Sequence, residues 1–273
     1  MKVAVLGSGP AGLMAAHAAV NAHALQGVPD DLFLDIYARG DKSPLYGAQF
    51  LHAAIPGMTP AEEPAVVDYH LVGDPADYRR KVYGRQWVGS VSPQQFGGLV
   101  RAWDIRATYD ALWGLYSRYI NAVDLEPNDV AEIVHGGFYD IVINSIPLPD
   151  LCHKGHHFGA TEIIAAGDAP DLGIDIGKTF RCSENTVICN GNPNPSWYRI
   201  SNIFGHTTVE WPASIENVPV RTASRVRKPL DHDCDCWPTI LKVGRFGSWT
   251  KGVLSHHAFM DAHNKVLMML KEA

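Results

Sequence analysis

Lys2-Val3-Ala4-Val5-Leu6-Gly7-Ser8-Gly9-Pro10-Ala11-Gly12 opens the chain, and its reading decides the fold. The apolar run Val3 to Leu6 suits a buried strand, and the alanine-rich run Leu13 to Leu25 beyond the glycines suits a helix. Between them Gly7, Gly9 and Gly12 have G-x-G-x-x-G spacing. The first glycine permits the tight turn, the second lets backbone approach a pyrophosphate, and the third lets helix pack on strand. Free N–H groups at the helix N-terminus then meet the anion, so Gly7, Gly9, Pro10, Ala11 and Gly12 are expected dinucleotide contacts. A second apolar run, Leu32 to Tyr37, completes a strand-helix-strand crossover of the kind that builds an open parallel sheet.

At the end of that second strand an acid usually holds the ribose hydroxyls. Here Tyr37-Ala38-Arg39-Gly40-Asp41 puts Ala38 in its place. Arg39 can stack on adenine or meet a 2′-phosphate, and Asp41 can reach the ribose from the loop, which leaves both FAD and NADP open. A solvated loop charge is the plain alternative for Arg39.

The remaining 230 or so residues are read more coarsely. Asp104 to Val123 carries apolar residues every three or four positions and predicts a helix capped by Asp104. Tyr139 to Ile146 reads as a buried strand, Thr186 to Cys189, His206 to Trp211 and Val218 to Arg221 as short strands of an antiparallel region, and Ile240 to Phe246 as a strand before a final helix from about Val253 to Lys271. The whole of 273 residues suits one large or two small domains. With 46% apolar and 19% charged residues it is globular rather than disordered. A net charge of -6 gives no basic footprint for strong nucleic-acid binding. No run reaches the roughly 20 apolar residues of a membrane span, and no secretion signal is evident. Five cysteines in a chain this long point to reduced thiols and a cytoplasmic location.

Val243-Gly244-Arg245-Phe246-Gly247-Ser248-Trp249 precedes Gly252-Val253-Leu254 and the last helix. An arginine in a strand-to-helix turn suits a pyrophosphate, because its planar fork bonds two oxygens. This stretch resembles the C-terminal FAD segment of UDP-galactopyranose mutases and related flavin amine oxidase-like proteins. Gly47-Ala48-Gln49-Phe50-Leu51-His52 resembles that group's turn beside the flavin, and Tyr139 to Pro149 its strand re-entering the FAD domain. The rest of the chain is similar to short uncharacterised FAD-binding proteins of actinobacteria and their phages.

The resemblance implies FAD as cofactor and an α/β fold: a Rossmann-like FAD-binding domain (1–60, 124–150 and 237–273) interleaved with a small, mainly antiparallel α+β substrate domain (61–123 and 151–236). It further implies cofactor contacts at Ala38, Arg39, Gly47, Ala48, Gln49, Gly244, Arg245, Trp249, Gly252, Val253 and Leu254, with His52 and Gln49 beside the ring. A histidine that merely packs under the ring is the alternative for His52. Members of the group are usually longer, which leaves room for a reduced substrate cap and no separate NAD(P)H domain. Electrons would then enter through the substrate pocket or from a partner, and a homodimer is a further possibility.

Asn194 to Gly205 joins two large aromatics, an arginine and small polar groups. On adjacent strand positions Trp197 and Tyr198 would face opposite sides, so only one can line a pocket. Tyr198, Arg199 and Asn202 are the candidates for substrate contact, with Glu210 adding a carboxylate. Cys152 to His157 and His232 to Cys236 invite a metal reading, but neither has paired chelate spacing by itself. Free thiols and loop histidines with no metal are therefore expected, and a site assembled from both clusters is the alternative. The functional expectation is an FAD-dependent oxidoreductase acting on a small polar, amine- or sugar-bearing molecule. A non-redox flavoenzyme of the mutase type and an NADP-binding or non-catalytic dinucleotide protein are the alternatives.

Overall fold

The computed structural model describes all residues except 28–31, 43–44, 46–48, 59–63, 85–97, 168–181, 195, 216–222 and 273. The opening segment forms β1 (Lys2–Leu6), α1 (Pro10–Leu25) and β2 (Phe33–Ala38), with β1 and β2 parallel. They lie in a five-stranded sheet with β5 (Ile120–Ala122), β6 (Ile141–Asn144) and β12 (Leu241–Lys242), ordered β12-β6-β1-β2-β5 and parallel at every pairing. Helix α1 is apolar all round because it is enclosed. Its alanines pack against α3 (Ile105–Tyr116) and the C-terminal α7 (His257–Glu272), in a core that includes Tyr109, Leu112, Phe259 and Val266.

The second sheet has seven strands: β3 (Ala65–Val72), β4 (Gly98–Ala102), β7 (Phe158–Gly167), β8 (Thr186–Asn190), β9 (Arg199–Ile203), β10 (His206–Pro212) and β11 (Ser224–His232). Their order is β11-β7-β10-β9-β8-β3-β4, antiparallel throughout except between β3 and β8. One face carries Val67, Tyr69, Ile163, Tyr198 and Ile203 under α2 (Pro75–Tyr83). The other carries Trp197, Ile200, Val209 and Trp211. Trp197 and Tyr198 thus do lie in different cores, and each is 1% exposed.

The chain passes between the sheets four times, so the expected interleaving is present. Three boundaries differ from expectation. Asp104 caps α3 as predicted, its Oδ1 accepting from the Arg106 and Ala107 N–H groups at 2.7 and 3.1 Å. The helix stops at Tyr116, however, and Ile120–Ala122 extends the parallel sheet, where Ile120 pairs with Ile36. Residues 105–122, expected in the cap, therefore pack with the dinucleotide sheet, because sheet hydrogen bonding at its open edge outweighs one more helical turn. The strand expected over Ile240 to Phe246 shrinks to β12, since Gly244 at φ +66° turns the chain into α6 (Gly244–Gly247). The last helix starts at His257, after a turn holding Gly252 at φ +87°. Val218 to Arg221 lies outside the described residues.

Candidate active site

The glycine loop sits at the carboxyl end of β1, where the order of the parallel sheet branches toward β2 on one side and β6 on the other. Ligands of open α/β sheets bind at this switch point. Gly7 has φ +99°, and a Cβ there would lie 2.5 Å from Ser145 Oγ. A Cβ on Gly12 would lie 2.0 Å from the carbonyl oxygen of Gly7. The loop is held from three directions. Gly7 N–H donates to Tyr37 O at 2.8 Å, Ser145 Oγ donates to Leu6 O at 2.9 Å, and Tyr109 OH donates to Ser8 O at 2.8 Å.

Helix α1 begins at Pro10 with Gly9 as its N-cap, no side-chain cap and no acid in its first turn, so its end is open to an anion. Gly244 packs on this end, where its Cβ would meet Ala11 Cβ at 2.5 Å. A Cβ on Gly247 would meet Asn144 O at 2.3 Å. Segments 7–12, 144–145 and 244–247 therefore form one backbone cradle that side chains would fill. Beside it, a cavity of 420 Å³ is lined by Tyr109, Lys42 and Asp110 from the dinucleotide half and by His206 from β10.

The other expected cofactor residues divide. Ala38 is buried against the edge strand, while Arg39 is exposed and pairs with Asp124 at 2.8 Å. Asp124, following β5, thus places a carboxylate beside the end of β2. Gly47 and Ala48 lie outside the described residues. Trp249 is spent on packing: it is 1% exposed, and its Nε1 donates to Gly159 O on β7 at 3.0 Å. Gly244 stands in the cradle, but the Arg245 side chain turns to the second sheet, donating to Pro229 O at 3.3 Å, and its Nε is buried without a hydrogen bond.

Gly252, Val253 and Leu254 lead into the N-terminus of α7, where three imidazoles gather. The His52 ring lies 6.1 Å from that of His256, which lies 4.4 Å from that of His257. Burial lowers the pKa of His52, with His257 adding to the effect, and burial beside His257 and His52 takes His256 down to about 4. These two rings are neutral at pH 7, and His256 Nδ1 is buried with no hydrogen bond. Gln49, from the same segment as His52, donates from Nε2 to Ser201 Oγ on β9 at 2.9 Å and so ties the two sheets.

Tyr198 and Arg199 are committed to Glu210 rather than free for substrate. The Glu210 carboxylate accepts from Tyr198 OH at 2.5 Å, Arg199 Nη2 at 2.5 Å and Lys228 Nζ at 2.9 Å, and its side chain is 1% exposed. Asn202 bonds to Cys182 O. Burial pushes Glu210 up, but Arg199 and Lys228 outweigh it and bring the carboxyl down to about 2. Burial drives Lys228 from 10.5 down to about 7, against the pull of Glu210. Lys228 was absent from the sequence candidates, although period-two alternation in Ser224-Arg225-Val226-Arg227-Lys228 turns it to the same side as Val226.

The pH dependence has a definite sign. Below pH 7 Lys228 is protonated in both states and folding carries the full cost of burying it. Between pH 7 and 10.5 the unfolded chain holds more protons, so this contribution rises with pH. The melting-temperature gain of Lys228→Met over wild type is thus expected to be largest near pH 6 and to fade by pH 10, as followed by circular dichroism. A flat difference would contradict the assignment.

No family model and no curated protein matches the sequence. Solved structures do match its fold. The whole chain is similar to 84% of 2,6-dihydroxypyridine-3-hydroxylase from Arthrobacter nicotinovorans, with a TM-score of 0.52 and 12% identity. Another 98% match covers 80% of CtdE, solved in complex with FAD and a substrate, with a TM-score of 0.55 and 11% identity. The fold is thus a Rossmann-like parallel α/β unit joined to a mainly antiparallel sheet, as in those structures. One of these proteins is named a hydroxylase and the other was solved with FAD; neither is a mutase or an amine oxidase by name.

Proposed function

We propose that this chain is an FAD-dependent oxidoreductase that hydroxylates a small polar substrate. The observation that carries the reading is the backbone cradle at the sheet's switch point, with Gly7, Gly12, Gly244 and Gly247 each where a Cβ would collide. It offers the close approach and open helix end that a pyrophosphate needs. In this reading Gly7 to Gly12 hold the pyrophosphate, Asp124 and Arg39 the adenosine end, and Gly47, Ala48 and Gly252 to Leu254 the flavin. Bound flavin supplies the redox chemistry. The chain's own groups position the substrate: neutral His52 and His256 present nitrogens that donate or accept a hydrogen bond, and Gln49 fixes the distance between cofactor half and substrate half. The likeness in fold to one protein named a hydroxylase, and to a second solved with FAD, supports this reading over amine or sugar chemistry. The domains are drawn along the sheets, with residues 103–123 assigned to the cofactor half.

Purified protein should be yellow and bleach with dithionite, and denaturation should release a molecule with the mass of FAD. Colourless protein that releases no flavin would sink the proposal. Product that gains one oxygen atom while NAD(P)H is consumed supports hydroxylation; turnover without net electron consumption would favour a mutase.

A further inference from the structure

Three cysteines and a histidine, from segments some 80 residues apart, converge where the chain crosses between the sheets. Cys152 follows α5 (Leu148–Leu151), and His156 comes after a turn with Gly155 at φ +65°. Cys234 and Cys236 lie on the return path from β11 to β12. Cys152 Sγ is 3.8 Å from Cys236 Sγ, and His156 Nδ1 is 3.4 Å from each of these sulfurs. The four ligand atoms, with Cys234 Sγ, all lie within 4.8 Å of one another. Neither cluster has chelate spacing alone, which is why no metal was expected; the fold supplies the missing half of each.

We propose that Cys152, His156, Cys234 and Cys236 form a structural zinc site that pins the two crossovers together. With Zn–S near 2.3 Å and Zn–N near 2.0 Å, a tetrahedron has edges of about 3.8 Å between sulfurs and about 3.5 Å from sulfur to nitrogen. The three separations among Cys152, Cys236 and His156 match those edges, and Cys234 Sγ lies within 4.8 Å of each of the other three ligand atoms. A disulfide needs sulfurs about 2.05 Å apart, and plain core packing does not explain why three half-buried groups aim at one point. The surroundings are those of a metal site. The N–H groups of Lys154 and His156 bond to the Cys152 sulfur, and that of Cys236 to the Cys234 sulfur. His156 turns Nδ1 to the sulfurs and Nε2 toward Asp235 Oδ1 at 3.4 Å, the carboxylate that sets the ring's tautomer in such sites.

The donor set selects zinc. Three thiolates and one imidazole suit Zn²⁺ in a closed tetrahedral site, and four protein ligands leave no position for substrate. Binding releases the three thiol protons and involves no electron transfer. The two crossovers are already joined by Trp237 Nε1 donating to Leu151 O at 2.9 Å and by His157 N–H donating to Asp233 Oδ1 at 2.8 Å. Cys234 also packs with Leu148 and Trp249, so zinc here braces the turn that leads to Gly252.

Zinc in the full-length protein, measured by plasma mass spectrometry without added metal, should be one per chain whether or not flavin is bound. Zinc-edge X-ray absorption should give three sulfurs and one nitrogen. Cys152→Ser and Cys236→Ser should lose the metal, while Cys182→Ser and Cys189→Ser, which alter the cysteines outside the cluster, should keep it. Asp235→Asn should weaken zinc affinity by about tenfold. If the ligand variants fail to fold, the absorption spectrum of the wild type decides alone. Wild-type protein that holds no zinc even after metal addition, a Cys152–Cys236 disulfide by mass, or a shell of nitrogen and oxygen only would overturn the proposal.

Discussion

Gly12→Ala is expected to strip the protein of flavin and to lower its melting temperature. The new Cβ would stand 2.0 Å from Gly7 O, 2.6 Å from Ser145 Oγ and 2.9 Å from Gly7 C. Two of those neighbours are backbone, and that backbone is fixed by the Gly7 to Tyr37 hydrogen bond. The loop must open to admit the methyl group, at a cost of about 3 kcal/mol by analogy with overpacked cores. Opening also moves the N–H groups proposed to meet the pyrophosphate, so flavin content should fall more than tenfold, the equivalent of about 1.4 kcal/mol. Gly114→Ala is the control: it lies within α3 with open space around its Cβ, and should stabilise by about 0.5–1 kcal/mol. Absorbance and thermal melts read both variants. Wild-type flavin content and melting temperature in Gly12→Ala would remove the loop from the cofactor site.

Glu210→Ala should be the most destabilising single change in the second sheet, and the reason is charge rather than volume. Removing Glu210 leaves the buried Arg199 cation with no counter-ion and takes from Lys228 the pull that keeps it charged, and breaking a buried ion pair from one side costs about 3–5 kcal/mol. In a chain of this size that lowers the melting temperature by about 5–10 °C. Lys228→Met should instead raise the melting temperature slightly, because Arg199 and Glu210 remain paired and the cost of burying the ammonium is removed. Adding Lys228→Met to Glu210→Ala should recover part of the loss. The discriminating measurement is this cycle of melting temperatures at pH 7. Equal damage from the two single variants would mean that packing, not the unbalanced charge, sets the cost. The same pairing implies an acid limit: Glu210 stabilises the fold above its ordinary pKa of 4.5 and loses that contribution as pH falls toward about 2.

How much of this was legible in the sequence depends on how local each feature is. The first crossover was readable because strand, glycine turn and helix are each encoded within a few neighbouring residues. So was the Asp104 cap, which needs only its own side chain and the N–H groups two and three positions on. The opposed burial of Trp197 and Tyr198 followed from adjacent positions alone. The end of α3 was misread because Ile120 to Ala122 are settled by an edge strand more than 80 residues earlier. Arg199 looked like a substrate ligand for the same reason: its partner Glu210 is brought opposite by the β9–β10 register, and Lys228 by a strand further on.

The amino-acid order by itself determined that the chain begins with a dinucleotide-type turn, and it located the residues that make the turn possible, since backbone sterics at Gly7 and Gly12 act over five positions. Only the tertiary structure decided what Arg245, Glu210 and the cysteines do. Arg245 meets Pro229 O on β11, the partners of Glu210 follow from strand register, and Cys152 meets Cys236 because two crossovers pass side by side. Each of these depends on closing loops of many residues, and the free energy that closes them comes from the two cores rather than from the residues brought together.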